Sequence, residues 1–170
     1  LQPEAKTIGI IYTTSESNSL YSIEQYEKLA GDYGFIIDAV AVTAQAEVTQ
    51  AVDKLLADKV DCLSNLTDNN VVGVLPAILE KTDAAGIPVY GSEIEQVKLG
   101  CAAGAGLDYV KLGIQTGEMA AKVLKGEAKC QDLPYEIIVD YDLYVNSQVL
   151  TALGLELPAD LADTAVECGA

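Results

Sequence analysis

The residues best suited to chemistry in this chain fall in four short runs: Thr13-Thr14-Ser15-Glu16-Ser17-Asn18-Ser19, Thr67-Asp68-Asn69-Asn70, Gly91-Ser92-Glu93 and Gly106-Leu107-Asp108. All four mix small, hydroxyl, amide or acidic side chains, groups that donate to a carboxylate and accept from an ammonium. The first run follows Ile8-Gly9-Ile10-Ile11-Tyr12 and precedes a helical pattern. A buried strand would thus deliver it to a helix N-terminus, where free N–H groups and the helix dipole favour a bound carboxylate or other anion. Asp68 stands directly after an apolar strand and is placed to pair with a ligand amine. A plainer reading remains open at each position. Asn18, Ser19, Asn69 and Asp108 are ordinary N-caps, and Glu16 and Glu93 could simply be solvated.

The elements that must position these runs alternate regularly. Thr7 to Tyr12, Phe35 to Val42, Val60 to Leu66, Ile87 to Tyr90 and Cys101 to Leu107 read as strands. Between them, Leu20, Ile23, Glu27 and Ala30 mark the inward line of a first helix ending near Gly34. Val48, Val52, Leu55 and Leu56 mark a second helix, and Val71, Leu75, Ile78 and Leu79 a third, in which Pro76 predicts a bend rather than a break. A helical turn spans Glu93 to Leu99, and Asp108 caps a long helix whose buried line is Leu112, Met119 and Val123, ended by Gly126. This order predicts an α/β fold, a doubly wound parallel sheet with right-handed crossovers, over residues 1–126. In such a sheet ligands bind beyond the carboxyl ends of the strands, the edge that carries all four runs.

After Gly126 the rhythm changes. Residues 127–170 read as an irregular tail: strands at Tyr135 to Val139 and Leu143 to Asn146 around Asp140-Tyr141-Asp142, a helix from near Ser147, and a last helical turn after Pro158. A regular sheet does not obviously include this tail, which is expected to pair with or pack on something outside the first five units.

Composition removes several classes of function. Ten basic against 26 acidic residues give a net charge of -16, unsuited to a phosphate backbone, so nucleic acid is not an expected partner. With no histidine, and with Cys62, Cys101, Cys130 and Cys168 in no ligand spacing, neither a zinc site nor a histidine-based triad is expected, and no cofactor is implied. Cys62 and Cys101 read as core thiols; spacing leaves a Cys130–Cys168 bridge open. No apolar stretch is long enough to span a bilayer. The chain opens on Leu1-Gln2-Pro3 rather than Met, so an upstream leader is left open.

Enzyme readings are weak. Gly104-Ala105-Gly106 has part of a dinucleotide fingerprint, but Tyr109 stands where the third glycine belongs and the motif follows the fifth strand. A phosphoacceptor domain would use Asp68, yet Thr13-Thr14 and Ala105-Gly106 occupy the places of its acidic pair and its lysine. Glu16, Asp68 and Glu93 could act as acid–base carboxylates, but recognition of an amine explains them as well.

Lys6-Thr7-Ile8-Gly9-Ile10-Ile11-Tyr12 followed by Glu16-Ser17-Asn18-Ser19, then Thr67-Asp68-Asn69, Ile87-Pro88-Val89-Tyr90-Gly91 with Glu93, and Gly106-Leu107-Asp108-Tyr109 with Leu112-Gly113 and Gly117, resemble the ABC-transporter substrate-binding family that includes tryptophan- and tyrosine-type uptake proteins. The resemblance extends through Ala120 to Gly126 and Asn146 to Pro158, and departs from the family pattern at Leu66, where proline is expected, and at Ser92, where a second glycine is expected. It implies a type I periplasmic-binding-protein fold, two α/β lobes closing on a ligand, of which this chain matches only the second half. A crossover toward the first lobe would fall near Gly106 to Asp108, and Tyr135 to Asn146 would meet that lobe.

The implied function is capture of a small zwitterion, an amino acid and by resemblance an aromatic one, for an ABC permease outside the cytoplasm. A lipoprotein or periplasmic location for the full-length protein and self-association of the fragment also follow from the resemblance. The cleft would be lined by Ser15, Glu16, Asn18, Ser19, Thr67, Asp68, Asn69, Ser92, Glu93 and Asp108, with Asn18 and Ser19 suiting an α-carboxylate and Asp68 or Asp108 an α-ammonium. The competing reading is the ligand-sensing domain of a transcription regulator, which shares the two-lobed fold.

Overall fold

In the computed structural model, which describes residues 1–138 and 141–169, the predicted alternation becomes one sheet of seven strands with helices on both faces. The β-branched runs Thr7–Thr13 (β1) and Ile36–Val42 (β2) pair in parallel over their whole length, Thr7 opposite Ile36 and Thr13 opposite Val42. Between them lies Ser17–Ala30 (α1), closed by a 3₁₀ turn and by Gly34, whose φ of 74° supplies the left-handed cap. Val48–Ala57 (α2) leads to Cys62–Ser64 (β3), Asn69–Val72 (α3) and Leu75–Ala85 (α4) to Val89–Gly91 (β4), and Ile94–Leu99 (α5) to Ala103–Gly106 (β5). Tyr109–Leu124 (α6) follows, then Asp142–Val145 (β6), Ser147–Ala152 (α7), Ala159–Ala162 (α8) and Val166–Glu167 (β7).

The strand order is β2-β1-β3-β4-β5-β6-β7, parallel except where β6 runs antiparallel to β5. Both faces are buried, as a mostly parallel sheet requires. Ile11, Leu63 and Val89 pack under α2, α4 and α5 with Val52, Leu55, Leu75, Ile78 and Val97. Ile10 and Leu66 meet Ile23 of α1 on the other face, and Ala103 and Val145 meet Leu150 of α7. Cys62 and Cys101 are core thiols as expected, and burial pushes each up to about 12. All four cysteines are free, so no Cys130–Cys168 bridge is formed.

Four expectations are corrected. Pro76 does not bend a continuous helix: α3 ends at Val72, Gly73 and Val74 intervene, and Pro76 stands in the first turn of α4, where its missing N–H costs nothing. On α1, Ile23 is buried and Ala30 half-buried as expected, but Ser19 and Tyr26 take the inward places given to Leu20 and Glu27; Leu20 is 40% exposed because the bond from Ser19 to Asp68 sets the rotation of the helix. No residue of α6 is buried; Leu112, Met119 and Val123 are only half-buried, and Met119 and Val123 line a shallow groove with Leu133 and Pro134. Finally, the tail does not stay out of the sheet: β6 pairs with β5 and β7 with β6, because the edge of β5 offers unpaired backbone groups. Residues 135–138 form no strand, and Val139 and Asp140 lie outside the described residues.

Candidate functional site

The loops after β1, β3, β4 and β5 leave the sheet on its carboxyl edge. In the first, the N–H of Thr14 donates to the carbonyl of Val42 at 3.0 Å, tying the loop to the end of β2. Glu16 is the N-cap residue of α1 but gives that helix no side-chain cap. Its carboxylate instead reaches the loop after β3 and accepts from the N–H of Asn69 at 3.1 Å and from its amide at 3.3 Å. Asn18 does not cap either; its amide donates to the carbonyl of Thr67 at 3.0 Å.

Asp68 is fully buried and saturated. One carboxylate oxygen accepts from the N–H of Thr13 at 2.7 Å and the hydroxyl of Ser19 at 2.7 Å. The other accepts from the Thr13 hydroxyl at 2.8 Å and from the N–H groups of Asn70 and Val71 at 3.1 and 3.2 Å. Burial pushes this carboxyl upward, but the hydrogen bonds from Ser19, Thr13 and Val71 outweigh it and hold Asp68 below the usual carboxylate range. At 0% exposure and with five donors in place, Asp68 caps α3 and joins two loops. Ser19 is buried beside it, and Asn69 is not the cap of α3.

Glu93 and Asp108 are the N-caps of α5 and α6. Glu93 accepts from the N–H groups of Glu95 and Gln96 at 2.9 Å each, so it is not merely solvated. Asp108 accepts from Val110 and Lys111 at 2.8 and 3.1 Å; the Lys111 and Val110 N–H groups hold it below the usual carboxylate range. The Lys111 ammonium lies 3.6 Å from Asp108 and 3.5 Å from Asp142, the first residue of β6.

The four predicted runs thus meet on one edge. Glu16, Asn18, Ser19, Thr67, Asp68 and Asn69 are joined by direct hydrogen bonds. Ser92 and Glu93 lie alongside through the loop after β3, because the Ser92 hydroxyl donates to the carbonyl of Asn65. A Cβ on Gly106 would stand 2.9 Å from Cα of Glu93, so the exit of β5 runs against the Glu93 loop. Ser15, Asn18, Thr67 and Asn69 are exposed on this edge, and Glu16, Ser92, Glu93 and Asp108 are half-buried. Three helices here carry a carboxylate cap, and α1, 14 residues long, does not. Its positive end can meet an anion from outside.

Two buried polar residues that tie these loops together were missed in the sequence: Asn65 and Gln96. The available signal was a polar side chain at a position whose neighbours, such as Ile94 and Val97 around Gln96, belong to the core. Among the described residues no group of three or more His, Cys, Asp or Glu could hold a metal ion, and no helix is long and apolar enough to cross a membrane.

Comparison with known proteins gives this arrangement a context. A family model described as ABC transporter substrate binding protein matches residues 1–168. A protein named Tyrosine-binding protein, from Clostridioides difficile (strain R20291), is 34% identical over 161 residues, covering 94% of this chain and 46% of its own length. An ABC domain from Streptococcus pneumonia solved in complex with L-Trp superposes with a TM-score of 0.87 at 29% identity, over 98% of this chain and 56% of that one. The ligand-free, open structure of a Clostridium difficile substrate binding protein with adhesive properties gives 0.77 at 37% identity, over 97% and 55%. The chain therefore spans about half the length of the proteins it matches.

Proposed function

This chain belongs to the ABC transporter substrate-binding protein family, and from that premise we propose that it is one lobe of an extracytoplasmic solute-binding protein that captures an amino acid, an aromatic one, and presents it to a membrane permease. The observation that carries the reading is the gathering of the four loops on one sheet edge around the uncapped N-terminus of α1. Relatives that bind tyrosine and L-Trp supply the ligand class.

In this reading the α-carboxylate meets the first turn of α1 beside Asn18 and Ser15. The α-ammonium meets Asp108 or Glu16, which are half-buried, while Ser19, Asp68 and Thr67 hold the loops in place. Asn69, Ser92 and Glu93 complete the wall. The lobe consists of the sheet and its helices. In place of a division at Gly126, α6 and the stretch to residue 138 lie between two crossovers and face a first lobe. Exposed Val110, Ile114, Tyr135 and Ile137 support this, since apolar side chains on a helix and an unpaired segment favour cover by a partner surface. A second copy could cover the same side chains in a fragment.

Titration calorimetry of the complete gene product with L-tyrosine, L-tryptophan and L-alanine tests the proposal, with Asn18→Ala alongside. Saturable heat is expected for the aromatic pair, with affinity weakened in the variant. Absence of heat with every amino acid would overturn the reading.

A further inference from the structure

The loops after β3 and β4 are joined by the Ser92 hydroxyl on the Asn65 carbonyl and, more extensively, by a buried side chain that no motif marks. Gln96, in the first turn of α5, is 1% exposed. Its Oε1 accepts from Nδ2 of Asn65 and from the N–H of Ser92, both at 3.0 Å, and its Nε2 donates to the carbonyl of Leu66 at 3.2 Å. Asn65 and Leu66 directly precede Thr67-Asp68-Asn69, and Ser92 precedes Glu93. The backbone makes room for this amide, since a Cβ on Gly91 would stand 3.0 Å from Cβ of Gln96 and 3.1 Å from Oε1. Asp68 fixes the β1 loop to the β3 loop; Gln96 fixes the β3 loop to the β4 loop.

We propose that Gln96 is a positioning residue that sets the spacing of the cleft loops after β3 and β4, and through them the affinity for ligand. The inference rests on the amino-acid-binding reading above. Both ends of a neutral amide are needed, because two N–H groups face one end and a carbonyl oxygen faces the other. A carboxylate at this position keeps the two acceptances but sets its second oxygen against the carbonyl of Leu66; a protonated carboxyl donates to that carbonyl and restores the pattern.

Three variants of the complete gene product are compared by calorimetry with L-tyrosine and L-tryptophan at pH 5 and pH 7.5. Gln96→Leu should weaken binding about tenfold at both values, because Asn65, Ser92 and Leu66 each lose a buried hydrogen-bonding partner. Gln96→Glu should be as weak at pH 7.5 and return toward the parent affinity at pH 5. Val97→Ala, a core truncation on the same helix, should lower the melting temperature and leave affinity unchanged. Equal affinity in parent and Gln96→Leu, or no acid rescue of Gln96→Glu, overturns the proposal. If the parent protein binds neither amino acid, the functional reading fails and amide exchange decides for Gln96. The N–H groups of Ser92 and Asn69 should then exchange at least about tenfold faster in Gln96→Leu than in Val97→Ala, and equal rates would refute the positioning role.

Discussion

The carboxylate of Asp68 takes both the backbone N–H and the hydroxyl of Thr13, at 2.7 and 2.8 Å, and so joins the ends of β1 and β3 across 55 residues of chain. With Ser19 on the same carboxylate, the strand, the helix it feeds and the neighbouring loop share one buried anchor. Two consequences of this anchor can be measured.

Replacing Asp68 by Asn turns one acceptor oxygen into a donor facing donors. Because the group is buried, the loss should be about 3 kcal/mol of unfolding free energy. Urea denaturation of the parent and of Asp68→Asn checks it, and a difference below about 1 kcal/mol would show that the cluster contributes little.

The same carboxylate predicts an acid limb. Its folded-state pKa lies below the ordinary aspartate value of about 3.9. Its contribution to stability is therefore fully present above that value and is lost as pH falls through the folded-state pKa. Stability curves of parent and Asp68→Asn between pH 6 and pH 2 should converge at the acid end. A gap that stays constant would assign the effect to packing rather than charge.

Gly104 and Gly113 should respond in opposite directions to alanine. A Cβ on Gly104 would stand 2.8 Å from the carbonyl oxygen of Gly91 and 3.0 Å from Val97, so β4 and β5 must part, at a cost of about 1–3 kcal/mol. Gly113 lies within α6 with nothing within 4 Å, and alanine there should add up to about 1 kcal/mol. Thermal melts of Gly104→Ala and Gly113→Ala separate the two.

Thiol labelling should follow burial. In the folded protein Cys130, exposed on its 3₁₀ turn, should react with a disulfide reagent first and the half-buried Cys168 more slowly. Cys62 and Cys101, whose thiols burial raises to about 12, should react only in denaturant. Fast labelling of all four thiols in native buffer would contradict the packing described for β3 and β5.

Much of the fold was legible because hydrophobic periodicity reports directly on which face of an element is buried. The five parallel strands, Gly34 and Gly86 as helix ends and the Asp108 cap are local signals, and each stands where the pattern put it. Pro76 was misread because a proline in a helical pattern is locally ambiguous between a kink and a first turn. Residues 135–138 show why a β-like pattern is not yet a strand, since strand structure needs a partner's backbone groups as well as its own side chains.

That this chain alternates strands and helices, gathers hydroxyl, amide and acidic residues at the carboxyl ends of those strands, and carries motifs of a binding family can be read from residue order, because these depend on composition and short-range spacing. Tertiary structure alone decided what each polar residue does. Asp68 became an internal anchor, Glu16 turned across to Asn69, Gln96 became a buried tie, and β6 reversed direction to pair with β5. Hydrogen-bond partners such as Thr13 for Asp68 and Asn65 for Gln96 stand 55 and 31 positions away in the chain, a distance over which local pattern carries no information.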